Sequence, residues 1–134
     1  MSGPMSMGER VAAAARAVVG ARFRAQGRDP ASGLDCVDVA AWAVRSAGFA
    51  VAVPGDYALR SSAAPCFASD MMIPCDGDRA GDVLLCRAAA GQLHVAVRTA
   101  AGFVHADLSL RRVVERPGAV PWPIAAAWRV VEEG

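Results

Sequence analysis

The chain has no lysine, a single tyrosine and only two histidines, and all fourteen of its basic residues are arginine. Those arginines are scattered along the sequence against thirteen acids, for a net charge of +1. No basic stripe exists to track a phosphate backbone, so nucleic acid is not an expected partner. No apolar run approaches the ~20 residues that cross a bilayer, so no membrane span is expected. The segment from Met1 to Arg10 lacks the basic patch and apolar run of a secretory signal, and the Ala-rich stretch after it is interrupted by Arg16. The expectation is a protein that is cytoplasmic as synthesised. Cysteines at 36, 66, 75 and 86 lack the close pairing of a zinc motif. In a reducing compartment they are expected as thiols, with a Cys66–Cys75 bridge conceivable only after export. There is no internal repeat and no glycine-rich phosphate loop, and neither a cofactor nor a metal is expected.

What the sequence does have is apolar mass. Hydrophobic residues make up 54% of 134 positions, enough for one core without staples. No linker composition divides the chain, so residues 1–134 read as one domain. Val11, Ala14, Ala15, Val18 and Val19 recur at helical spacing from Met7 to Val19, and Gly20 supplies a stop. A second helix is predicted from Asp35 to Ala47 on the stripe of Val37, Ala40, Ala41 and Val44, closed by Gly48. Between them, 21–33 is rich in turn formers. From Val53 to Ala80 the prolines and small polar residues predict a long irregular crossing, with one short helix near Tyr57–Ser62.

After Gly81 the texture changes to short Val- and Leu-rich runs over 82–87, 93–98, 103–107, 111–115 and 126–131. These read as antiparallel strands. The predicted class is α+β, with N-terminal helices packed on one side of a C-terminal antiparallel sheet of about five strands. Trp42 is expected to pack, and Trp122 and Trp128 to pin the C-terminal segment to the core. Asp56, Tyr57, Arg60, Asp70 and Asp76 read as solvated loop residues.

Cys36 follows Gly33-Leu34-Asp35 and opens the second predicted helix, where free backbone N–H groups and the positive end of the dipole favour a thiolate. A single cysteine is more often a small core residue, so the histidines weigh in the choice. His94 and His105 flank the small-residue turn 99–102, which reads as a hairpin. For an even loop their odd index sum puts both on one sheet face, as cross-strand or diagonal neighbours, with Val95, Val97, Val104 and Ala106 on the other. A helix-start cysteine with two such imidazoles fits nucleophile, base and orienter in Cys36, His94 and His105. The same three as zinc ligands is the competing reading, without motif spacing to support it.

Four blocks, Gly33-Leu34-Asp35-Cys36, Gly81-Asp82-Val83-Leu84-Leu85, His94-Val95-Ala96-Val97 and Phe103-Val104-His105-Ala106, resemble the NlpC family of cell-wall cysteine peptidases, in the family's order. The resemblance implies a papain-like fold, with Cys36 as nucleophile, His94 as base and His105 as its orienting residue. It implies that Asp35 holds a substrate amine, and that Phe23 stands where the family often has a tyrosine near the cleft. Val37 and Asp38 replace the family's small Ser and Gly, so Val37 joins Asp35 and Phe23 in the implied substrate set. The implied reaction is cleavage of peptidoglycan stem peptides between D-γ-glutamyl and a diamino acid, through an acyl-enzyme at Cys36. Implied partners are peptidoglycan peptides or muropeptides. Its small size resembles phage-associated members, which implies a phage-tail or lysis component and delivery to the wall by another system. Two alternatives share the fold: a non-catalytic phage-tail or wall-binding module, and an acyltransferase, amidase or thioesterase.

Overall fold

A computed structural model describes residues 6–25, 27, 29–49, 71–89 and 92–131. Its first element, α1 (Met7–Ala17), starts at a reciprocal cap. Ser6 Oγ accepts from the Glu9 N–H at 3.1 Å, and Glu9 Oε1 accepts from the Ser6 N–H at 3.2 Å. Val11, Ala12 and Ala15 form its buried face.

The second helix, α2 (Cys36–Ser46), repeats the device with two aspartates. Asp35 Oδ1 accepts from the Asp38 N–H at 2.8 Å, and Asp38 Oδ2 accepts from the Asp35 N–H at 3.1 Å. Both carboxylates are buried, and their negative charge faces the positive end of the helix dipole. Eight of the eleven residues of α2 are buried, because it lies between α1 and the sheet. Ala40, Ala41 and Ala43 let those layers approach closely. Trp42 is partly buried and packs on the same core, as expected.

Six strands follow among the described residues: β1 (Met72–Pro74), β2 (Val83–Ala89), β3 (Gln92–Arg98), β4 (Gly102–Asp107), β5 (Arg112–Pro117) and β6 (Ile124–Val130). Their order is β1-β6-β2-β3-β4-β5, antiparallel throughout. Five occupy the predicted runs to within a few residues. The sixth, β1, falls in the segment read as an irregular crossing; its three residues, ending in Pro74, are too few to show alternation. The expected short helix near Tyr57–Ser62 lies outside the described residues, as do Asp56, Arg60, Cys66 and Asp70.

Alternation along the strands divides the sheet into two faces. Val83, Leu85, Val95, Val97, Val104 and Val113 point to the helices and join the main core. Leu84, Cys86, Ala96, Phe103 and Ala127 point the other way into a second, smaller cluster, onto which Trp122 and Val120 pack. Trp128 is buried on the helix side, where it fastens β6 to the core as predicted.

The connection from α1 to α2 is ordered by both of its neighbours. Gly20 donates to Val113 O at 2.8 Å and Phe23 to Arg111 O at 2.9 Å, which covers the outer edge of β5. On its other side Leu34 N–H donates to Arg22 O at 2.8 Å. Gly33, at φ 126°, has Arg24 Cβ only 2.6 Å from where a Cβ of its own would sit, so only glycine fits this crossing. The chain is thereby delivered to the sheet with Asp35 and Cys36 in place.

Candidate active site

Cys36 is the first residue of α2 and is 2% exposed, packed with core residues of the helix-facing side. Burial pushes its thiol up to about 12, with the Asp35 carboxylate adding to the rise. Backbone N–H groups of Val95, Val37 and Cys36 itself act in the opposite direction and are outweighed. Burial therefore opposes the thiolate that a helix start favours. A helix terminus lowers a thiol pKa only where the sulfur keeps enough polar surroundings to carry charge.

The contact with Val95 locates the sulfur on the sheet. In the β2–β3 ladder Arg98 N–H donates to Asp82 O at 2.9 Å, so residues of even number on β3 bond toward β2. The Val95 N–H therefore points toward β4. The β3–β4 ladder pairs only Val97 with Val104 and Arg98 with Phe103, and it has opened by the time Val95 is reached. The thiol of Cys36 meets β3 at this open seam, against the residue next to His94.

His94 and His105 stand on one face of the sheet, as the hairpin parity predicts, as diagonal neighbours with no register shift between their strands. His94 Nε2 and His105 Nδ1 are 2.7 Å apart, with the rings perpendicular. Burial lowers His94 to about 4, and the neighbouring His105 adds to the fall while Asp107 opposes it. His105 is lowered too, by burial first, with Asp107 raising it and Arg116 lowering it. Burial thus favours the neutral form of both rings. The Trp122 ring meets both edge-on, at centroid distances of 4.9 Å and 5.4 Å. A residue expected only to pin the chain terminus thus covers the imidazole pair.

These rings leave β3 and β4 on the face away from α2, beside Cys86 and Phe103. They border a cavity of about 220 Å³, whose wall includes Gln92, Asp107, Ser109, Arg116 and Trp122 but not Cys36. The thiol therefore meets β3 at Val95 on the helix side, and the imidazoles leave β3 and β4 on the other face. Burial disfavours the charged form of the thiol and of both imidazoles.

The three residues of the implied substrate set are differently placed. Asp35 is 3% exposed and caps α2. Phe23 is partly buried and packs on the helix-side core. Val37 is fully buried in that core, where its branched side chain fills space between α2 and its neighbours; its observed role is packing.

Metal binding finds no constellation at Cys36, His94 and His105. The one described group with three ligand atoms within 4.8 Å of one another is Cys75, Asp76 and Asp82. A cation already serves it: Arg129 pairs with Asp82 through two bonds of 2.9 Å and 2.8 Å, and with Asp76 at 3.0 Å and Asp78 at 3.2 Å. Asp82, the acid of the Gly81-Asp82 block, is fully buried and ties the start of β2 to β6. Its role is structural.

Two helices against one face of a six-stranded antiparallel sheet, a cysteine opening the second helix and paired histidines on the central strands define an α+β fold of the NlpC type. Solved structures carry the same fold. NlpC1 of Trichomonas vaginalis aligns with a TM-score of 0.66 at 17% identity, over 96% of this chain and 47% of its own. NlpC2 of the same organism aligns with a TM-score of 0.66 at 16% identity, over 96% and 50%. The NlpC/p60 domain of the peptidoglycan hydrolase SagA aligns with a TM-score of 0.59 at 23% identity, over 90% and 96%. The chain thus spans about half the length of the two Trichomonas proteins and nearly all of the SagA domain. No family model matches the sequence, and no curated protein does.

Proposed function

We propose that the chain is a cysteine hydrolase of peptidoglycan stem peptides, acting as one domain with Cys36 as nucleophile and His94 as general base. The observation that carries this reading is the bonded imidazole pair on one face of β3 and β4, with the helix-opening Cys36 thiol against Val95, the residue next to His94. The fold it shares with the NlpC/p60 domain of a peptidoglycan hydrolase supports the substrate class.

In this mechanism the Cys36 sulfur attacks the carbonyl carbon of the D-γ-glutamyl amide as its proton passes to His94. His94 then returns that proton to the departing amine, leaving a thioester. Water attacks the thioester, giving its proton to His94, which passes it back to the sulfur as the acid leaves. Burial raises the thiol and lowers the imidazole, which disfavours an ion pair in advance of substrate, so in this mechanism deprotonation accompanies attack. Free N–H groups at the start of α2 face the sulfur and favour the charge that develops there.

A second reading, a wall-binding module without turnover, has one observation in its favour: the thiol is buried and lies outside the cavity that the imidazoles border. Digesting purified peptidoglycan with wild type and with Cys36→Ala separates the two. The hydrolase releases new muropeptide fragments that the variant does not. Co-sedimentation with walls, and no fragments from wild type, would establish the binding module instead.

A further inference from the structure

Asp107 closes β4 at the turn into β5. Its carboxylate divides two tasks between its oxygens. Oδ1 accepts from the Leu110 N–H at 3.0 Å, which fixes the side chain across the turn. Oδ2 stands 3.8 Å from His105 Nε2. That separation is too long for a hydrogen bond but well within the range of a charge acting on a dipole.

The facing atom is unusual. His105 is 3% exposed, and its Nε2 is a buried polar atom without a hydrogen-bond partner among the described residues. A lone pair aimed at a carboxylate at this distance is repelled, and an N–H is attracted. The proton of neutral His105 therefore belongs on Nε2, which leaves Nδ1 as an acceptor. The atom 2.7 Å from that Nδ1 is His94 Nε2, which must then be the donor. A neutral ring carries one such proton, so the lone pair of His94 is on Nδ1.

We propose that Asp107 is a positioning residue which, through His105, sets the tautomer of both rings and makes Nδ1 of His94 the basic nitrogen. Arg116 and Trp122 face the same pair. The Arg116 charge opposes a second proton on His105, and the indole shields the contact from water. The catalytic consequence rests on the hydrolase reading; the tautomer assignment does not.

Long-range proton–nitrogen correlation spectra of the two histidines test the assignment directly. In wild type both rings carry the proton on Nε2. In Asp107→Asn the new amide oxygen keeps the Leu110 N–H, its NH2 group turns to His105, and both rings are expected to switch to Nδ1–H. A wild-type His105 protonated on Nδ1, or rings that do not switch in the variant, would overturn the proposal. If the variant does not fold, the wild-type spectrum decides alone. Muropeptide turnover supplies the second readout: kcat falls roughly 100-fold in Asp107→Asn with KM unchanged. Switched tautomers with undiminished kcat would overturn the catalytic consequence. An inert wild type would reject the hydrolase reading and leave the tautomer result standing.

Discussion

Cys36 and His94 are displaced in opposite directions by one cause. Desolvation disfavours whichever form is charged, so it raises the thiol and lowers the imidazole. The helix start was readable in the sequence, and so was its pull toward a thiolate. Burial depth was not, because it depends on three layers that meet only in the folded chain. Val37, by contrast, stood on the apolar stripe that predicts α2, so its enclosure was legible. Linkage turns the imidazole shift into a stability prediction. The folded pKa of His94 is about 4 against 6.5 unperturbed, so the unfolded chain binds more protons between those values. His94 therefore contributes stability that is complete above about pH 6.5 and is lost as the pH falls toward 4. Urea midpoints measured from pH 7 to 4 should decline more steeply in wild type than in His94→Gln. Parallel declines would contradict a buried, neutral His94.

Among the elements, the hairpin of β3 and β4 was the most legible part of the site. Parity alone put His94 and His105 on one face, because side chains alternate strictly along a strand. The reciprocal cap of α2 was hidden by chemistry: the usual partner three residues into a helix is Glu or Gln, whereas here the shorter Asp38 fills the place. Trp122 was hidden by topology, since its Pro-flanked segment reaches the imidazoles only after β6 has inserted between β1 and β2. Asp107 carried one available signal, its period-two relation to His105 on β4. Pairing of β4 with β5 depends on Gly102, where an added Cβ would lie 1.8 Å from Arg116 O and 2.8 Å from Pro117 Cα. Those atoms are backbone and cannot rotate away. Gly102→Ala should cost about 2 kcal/mol, read from the urea midpoint, as the strands separate to admit the methyl group. An unchanged midpoint would show that the edge of the sheet yields freely.

Across the whole molecule, the sequence pattern foretold the α+β class, both helices and five of the six strands, since each rests on a periodicity long enough to see. β1 became visible only through its pairing with β6, a contact across more than fifty residues. The proposed mechanism reduces to one chemical statement: an acyl group passes through the sulfur of Cys36 at the start of α2. Rapid acid quenching of the protein with muropeptide, followed by mass mapping of its peptides, tests that statement. The expected result is a stem-peptide thioester on the Cys36 peptide, absent in Cys36→Ala and slower to form in His94→Gln. Cleavage without any adduct, or an adduct on Cys75 or Cys86 instead, would contradict it.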